Sequence, residues 1–365
     1  MHRIRLTYSL GNDRTPDDDL HHPLLHLLEA IHRSGSISAA AREVNLSYRH
    51  VWGELKRWEQ ELGQSLLVWS KGQRAQLAPF GEKLLWAERR ARARLAPQVE
   101  ALRSELERAF AVAFDAEAGV LSVYASHDAA LPRLREMAIA QHKLHLEIQF
   151  MGSVDALAAL NEGRCVVAGF HALVQTPPSS PTARVYRPMF KPGHHKLIGF
   201  AERTQGLILP AGNPLGIQGL ADLARPGLRF TNRQRGTGTR VVLEQLLAST
   251  GLEPSAIATW EQAEPSHEAV AEAVASGSAD VAFGIEAAAR RRGLDFIELA
   301  REQYFLVTLR SHLEQPEVLK LRALLRSAAW QQVLATLPGY APARSGEVLS
   351  LRQVLPWWTW RKPKR

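Results

Sequence analysis

Gly35-Ser36-Ile37-Ser38-Ala39-Ala40-Ala41-Arg42-Glu43-Val44-Asn45-Leu46-Ser47-Tyr48-Arg49-His50-Val51-Trp52 decides how the first third of the chain is read. Ile37, Ala40, Ala41 and Val44 recur at helical spacing and give a short helix an apolar side. The small residues 39–41 permit close approach of a second helix. Residues 43–46 carry a turn in which Asn45 tolerates a left-handed backbone. Ser47 is a natural N-cap for a helix over 48–62, with Val51, Leu55, Trp58 and Leu62 as its buried stripe. Two helices in this order form the unit that lays its second helix in the major groove of DNA. Tyr48, Arg49 and His50 occupy the first turn, where base edges are read. Lys56 and Arg57 lie further along, where phosphate is the better partner. Ser36 and Ser47, at the two helix starts, complete the candidate contacts. An Ala-rich hairpin buried in a core is the plain alternative; turn, cap and basic face together favour DNA.

The following residues extend this reading. Residues 66–69 and 75–77 are expected as two strands around the basic turn 70–74, a wing with Lys71 and Arg74 facing the backbone of a duplex. Residues 79–81 then open a long helix. On these residues, and on Glu61-Leu62-Gly63-Gln64-Ser65-Leu66-Leu67 and Leu77-Ala78-Pro79-Phe80-Gly81, the run 34–85 resembles the winged helix-turn-helix of LysR-type regulators. The Tyr-Arg-His-Val-Trp start of the recognition helix makes it still more similar to the molybdate-responsive ModE repressors. That resemblance implies a DNA-binding transcription regulator, not an enzyme.

With 365 residues the chain is too long for one ordinary core, and two or three domains are expected. The single cysteine, Cys165, excludes an internal disulfide and a Cys-rich zinc site, and its setting in an apolar strand makes inert packing the default. No apolar run is long enough to span a bilayer, and residues 1–20 are unlike a signal peptide, so a cytoplasmic location is expected. The net charge of +8 is uneven: residues 33–94 hold 12 basic against 6 acidic residues, and residues 350–365 hold 5 basic and no acidic ones. The first concentration is the footprint expected of duplex binding.

Four segments follow: a winged helix-turn-helix domain at 1–79, a linker and dimerisation helix at 80–113, an effector domain at 114–345 and a basic, Trp-rich tail at 346–365. Residues 1–22 read as a short strand (Ile4, Leu6, Tyr8) and a polar loop, and 24–32 as the first helix. Within 80–113, Leu95, Val99, Leu102, Leu106 and Ala109 step by three and four, a coiled-coil-like seam; Pro97 kinks this helix or divides it. A homodimer or homotetramer is expected, since readers of this type use two half-sites; packing on its own chain is the alternative. From Gly119 onward strands and helices alternate: strands at 120–124, 146–150, 165–170, 228–230, 281–285 and 304–308, and helices at 129–142, 154–162, 239–249, 270–276 and within 316–337. That order implies an α/β domain of parallel sheets covered by helices. The tail, with Trp357, Trp358 and Trp360, reads as tryptophans packed on the domain and a charged end, or as a grip on nucleic acid.

Small hydroxyl residues sit at several strand-to-helix junctions: 126–128, 152–153 and 231–240. Ligands bind at the carboxyl ends of strands in open α/β sheets, where helix N-termini offer free N–H groups. The chemistry that fits is an anion held by neutral donors. On Ala125-Ser126-His127-Asp128-Ala129-Ala130-Leu131, on Asn232-Arg233-Gln234-Arg235-Gly236-Thr237-Gly238-Thr239-Arg240, on residues 266–277 and on 282–285, this half resembles type II periplasmic binding proteins, most of all their molybdate-binding branch. The resemblance implies a two-lobed domain with oxyanion contacts at Ser126, Ser153 and the Gly236-Thr237 backbone, and molybdate or tungstate as effector. His127, Asn232, Thr239 and His267 complete the candidate set. Arg233, Arg235 and Arg240 crowd one loop with more charge than neutral donors require. If Arg233 or Arg235 points inward, formate or another small carboxylate or sulfur oxyanion becomes the alternative. A non-regulatory anion-binding protein is the rival of another class. No cofactor, metal or membrane partner is expected: Ser126, His127 and Asp128 are adjacent and cannot converge as a triad, there is no Gly-x-Ser-x-Gly elbow or Walker loop, and His21-His22 and His194-His195 lack a third ligand.

Overall fold

The computed structural model describes residues 22–68, 74–114, 118–173 and 176–358, which divide into two compact units with a boundary between Arg92 and Ala93. In the first unit, α1 (Pro23–Ser34), α2 (Ile37–Glu43) and α3 (Tyr48–Leu62) pack around Leu24, Leu28, Ile31, Ala40, Val51, Leu55 and Leu66. Each helix starts where a side chain takes up an orphan backbone N–H: Ser36 accepts from Ala39 at 3.3 Å and Ser47 from His50 at 3.1 Å. Asn45 takes the left-handed backbone expected of the turn, with φ 54°. Trp58 and Leu62 are only partly buried, so the core stripe of α3 narrows towards its end. β1 (Leu67–Val68) and β2 (Gln76–Leu77) form the antiparallel wing among the described residues. The expected contact Lys71 and the strand within residues 1–22 lie outside the described residues.

The boundary between the units falls inside α4 (Pro79–Phe114), which continues undivided through Pro97. Beyond residue 92 one face of α4 packs on its own unit: Ser104 Oγ donates to the Leu146 carbonyl at 3.0 Å and accepts from Ile148 N at 3.2 Å. The other face leaves Leu95, Leu102, Leu106, Phe110 and Phe114 exposed.

The second unit is built on one mixed sheet. β3 (Gly119–Ala125), β4 (Leu144–Phe150) and β5 (Val167–Ala172) are parallel and carry α5 (Leu131–His142) and α6 (Ser153–Asn161); a short α7 (Pro181–Tyr186) follows. β6 (His195–Leu209) leads to β7 (Phe230–Arg233), α8 (Gly238–Thr250), β8 (Ala263–Glu264), α9 (His267–Ala275), β9 (Val281–Ile285) and α10 (Glu286–Arg291), with β7, β8 and β9 parallel. β10 (Asp295–Leu309) then returns antiparallel to both β5 and β6, before α11 (Pro316–Arg326) and α12 (Ala328–Thr336). The strand order is β4-β3-β5-β10-β6-β9-β7-β8.

The expectation of purely parallel sheets is therefore corrected. The long strands β6 and β10 run from one lobe into the other and must pair antiparallel to each other. β6 is buried along nearly its whole length, so it lacks the polar alternation that marks a half-buried strand. Cys165 precedes β5 rather than lying in it; burial pushes its thiol up to about 12, in keeping with inert packing. The tail boundary at 346 also shifts. β11 (Tyr340–Ala341) and β12 (Val348–Leu349) pair with β6, α13 (Leu351–Val354) follows, and Trp357 is fully buried. Residues 346–358 thus belong to the second unit, while Trp360 and the basic end lie outside the described residues. Among the described residues no helix is long and apolar enough to cross a membrane.

Candidate DNA-reading helix and effector site

Tyr48, Arg49 and His50 are exposed on the first turn of α3, Tyr48 by 47%. Tyr48 stacks on Trp52 with ring centroids 6.4 Å apart and the ring planes 9° from parallel. Lys56 pairs with Glu59 at 2.6 Å and lies over Trp52; Arg57 pairs with Glu54 at 2.5 Å and lies over Trp58. Such exposed pairs contribute about 0–1 kcal/mol and yield readily to a phosphate. Arg74 is exposed beside Gly35 at the wing's inner end. The hydroxyls of Ser36 and Ser47 are engaged in capping, so their first role is to define the helix starts.

The second site grows out of a buried charge network. Asp128, just after β3, accepts from Ala130 N at 2.8 Å, from Tyr340 OH at 2.6 Å and from Arg203 on β6. Arg203 also donates to Glu302 Oε1, through Nε at 2.9 Å, because β6 and β10 pair with Arg203 directly opposite Glu302. Its guanidinium lies over the Tyr304 ring at 4.7 Å. Gln205 Nε2 donates to Glu302 at 2.8 Å and to Thr239 Oγ1 at 3.3 Å, and Thr239 lies 3.5 Å from His267 Nε2. His171 Nδ1 lies 3.4 Å from Ser153 Oγ. These residues come from both lobes and from the two bridging strands.

Arg233 ends β7 fully buried and has no carboxylate partner: its Nη1 donates to the Glu264 carbonyl at 3.0 Å. Burial, then the charge of Arg203, pull it down to about 9, still protonated at neutral pH. Burial likewise holds His127 and His171 at about 4, and His267 well below the usual imidazole range, so all three rings are neutral. With Asp128 and Glu302 set against Arg203 and Arg233, the cluster carries no net charge. Nine buried polar atoms in it have no partner among the described residues: Ser126 Oγ, His127 Nδ1, His171 Nε2, Gln205 Oε1, Asn232 Nδ2, Arg233 Nε, His267 Nδ1, Glu302 Oε2 and Tyr304 OH. A buried donor or acceptor left unpaired costs about 1–3 kcal/mol. The set mixes donors such as Arg233 Nε and Asn232 Nδ2 with acceptors such as Glu302 Oε2 and Gln205 Oε1, so it offers a small polar ligand both kinds of hydrogen bond. No group of three or more His, Cys, Asp or Glu among the described residues is arranged to hold a metal.

The expected residues sort cleanly. Ser126, His127, Ser153, Asn232, Arg233, Thr239 and His267 converge. Arg235 does not: it is 78% exposed and pairs with Glu261 at 2.7 Å. The Thr237 hydroxyl is spent on capping α8 and on the Gln234 carbonyl, and its N–H also bonds Gln234, at 3.3 Å. Neither is a donor to the cluster. Gly236 instead closes the lobes on each other, its carbonyl accepting from Val154 N at 3.2 Å. Arg240 stacks on Trp260 at 3.8 Å, away from the cluster. Asp128, His171, Arg203, Gln205 and Glu302 escaped sequence reasoning; the signal for three of them was polar residues within apolar runs, as in 200–208 and 302–307.

Residues 134–326 match the family described as PBP superfamily domain, and residues 23–82 match the bacterial regulatory helix-turn-helix, lysR family. The uncharacterised protein YvgK of Bacillus subtilis is 31% identical over 201 residues, 55% of this chain and 64% of its own length. The molybdenum-pterin-binding protein MopB of Rhodobacter capsulatus is 45% identical over 65 residues, 17% of this chain and 24% of its own. The chain thus spans less than two thirds of either relative. An OxyR mutant structure from Corynebacterium glutamicum aligns with 82% of this chain and 91% of its own at 19% identity and a TM-score of 0.42.

Proposed function

Because the chain belongs to the PBP superfamily through residues 134–326, with a LysR-family regulatory helix-turn-helix over 23–82, we propose that it is a transcription regulator whose grip on DNA is set by a small anion held between its lobes. The observation that carries the effector reading is the buried cluster of unpartnered polar atoms around Arg233, whose guanidinium donates to a backbone carbonyl. The exposed first turn of α3 supports DNA reading by Tyr48, Arg49 and His50, with Lys56, Arg57, Lys71 and Arg74 as phosphate partners. The apolar seam Leu95, Leu102, Leu106 and Phe110 supports self-association as a dimer or tetramer. DNA reading implies work in the cytoplasm, and regulation rather than catalysis.

Two anion classes compete. The free donors of the cluster, among them Arg233 Nε and Asn232 Nδ2, suit molybdate or tungstate, and the short match to a molybdenum-pterin-binding protein supports it. The zero net charge of the cluster favours a singly charged carboxylate such as formate, because a dianion would leave two uncompensated buried charges. Calorimetric titration with molybdate, tungstate, sulfate and formate separates them, and gel shifts on genomic fragments with and without the bound anion test the switch. Binding of none of the four removes the small-anion reading; DNA affinity indifferent to a bound anion removes the regulation.

A further inference from the structure

Pro97 has no N–H, so the carbonyl of Ala93, one turn earlier in α4, loses its helical donor. Ser266 replaces it: its hydroxyl donates to Ala93 O at 3.1 Å while accepting from Ala269 N at 3.0 Å, which caps α9. Next to this contact, Arg94 forks onto the Glu264 carboxylate, Nε at 2.7 Å and Nη2 at 2.5 Å. The Glu264 carbonyl meanwhile accepts from Arg233 Nη1 at 3.0 Å, and His267, whose Nδ1 is unpartnered, is the first residue of α9. Four consecutive residues therefore hold α4 with one set of atoms and the anion cluster with another. Ser266 is fully buried and Glu264 nearly so, which leaves the segment little room to move at one end alone.

We propose that residues 264–267 are the coupling element between the effector cluster and α4, with Arg94 and Ser266 as positioning residues that transmit the state of Arg233 and His267 to the proline turn. This rests on the reading of the cluster as an effector site. A ligand bound at Arg233 Nε and His267 Nδ1 acts on both anchors of the segment at once, and the Arg94 fork and the Ser266 hydroxyl carry that change into the helix. Only a difference in these contacts between the free and bound states can bias α4.

Hydrogen exchange of the α4 amides over 94–101 in the full chain tests it without a ligand. Arg233→Met is expected to speed that exchange about tenfold in the native background and less than about twofold in an Arg94→Ala background, where the grip is already lost. Equal acceleration in both backgrounds, or none in the native one, overturns the proposal. His267→Gln is the second cluster variant, read the same way, if Arg233→Met does not fold. In a separate arm, molybdate and formate are added to the native chain and to Arg94→Ala. A thermal shift retained by Arg94→Ala, with the anion's effect on 94–101 exchange lost, supports coupling. A shift lost with Arg94 makes it a binding residue and overturns the coupling role. If neither anion shifts the native chain, the effector reading fails for these anions while the mutational cycle still decides the coupling.

Discussion

Acidification should unlock the second unit, because its central cluster keeps three imidazoles neutral. An imidazole whose folded pKa lies below its unfolded value binds more protons in the unfolded chain. Its stabilisation is complete above pH 6.5 and is lost as the pH falls towards the folded pKa. For His127 and His171, depressed from 6.5 to about 4, the window runs from about 6.5 down to about 4. Between pH 7.5 and 5.5 each costs about 1 kcal/mol, roughly 2–3 kcal/mol for the pair. His267 and His195, also depressed by burial, push in the same direction. Asp222 and Asp280 do not enter this window, since their folded pKa values lie below 3.8 and their contributions fade only at lower pH. Burial is the largest cause of the depression; for His171 the charges of Glu302 and Asp128 oppose it and those of Arg203 and Arg233 add to it. Urea denaturation followed by tryptophan fluorescence reports the second unit through the buried Trp330 and Trp357, as a transition beside that of Trp52, Trp58 and Trp86 in the first unit. His171→Gln should remove about 1 kcal/mol of the pH dependence. A bound anion should reverse part of the loss, because it favours the protonated rings. Stability of this unit that stays level from pH 7.5 to 5.5 would refute the neutral-imidazole account.

Other outcomes follow from the same geometry. Arg49→Ala should weaken sequence-specific DNA binding about tenfold or more with unchanged thermal stability, and native affinity should fall steeply with salt; footprinting and a salt series check both. Arg233→Met should abolish the thermal shift produced by whichever anion binds, and a retained shift would move the pocket elsewhere. Gly152→Ala places a Cβ 2.5 Å from the Gly236 carbonyl oxygen. It should prise the lobes apart at a cost of about 1–3 kcal/mol, measured by denaturation, and weaken anion binding. Leu102→Glu, on the exposed seam of α4, should lower the oligomeric state in sedimentation without unfolding the chain; an unchanged mass would detach that seam from assembly.

Local physics was legible from the residues. Ser47, Asn45 and the spacing of Val51 and Leu55 announce a capped helix after a left-handed turn, because caps and turns are settled within about four residues of backbone. Ser126 and His267 stand out for the same reason, one following a strand and the other starting a helix, whereas Asn232 lies inside β7. Arg233 and Arg235 were not separable in advance. Two residues apart in a loop entry, one turns into the lobe interface and the other into solvent, and no local rule distinguishes them. His171 and Glu302 were hidden because each lies just outside the strand expected from sequence, at 165–170 and 304–308, while the structure extends β5 and β10 over them.

Residue order alone determined the helix-turn-helix unit, the long helix after it and the alternation of strands and helices, since hydrogen bonds between near neighbours and apolar periodicity set those features. Only the tertiary structure decided the buried polar cluster and its tie to α4. Arg203 meets Glu302 through the register of two long strands, and Ser266 reaches the carbonyl that Pro97 leaves free across 173 positions of sequence. Burial, which sets the charge state of the cluster, exists only once the lobes have packed together.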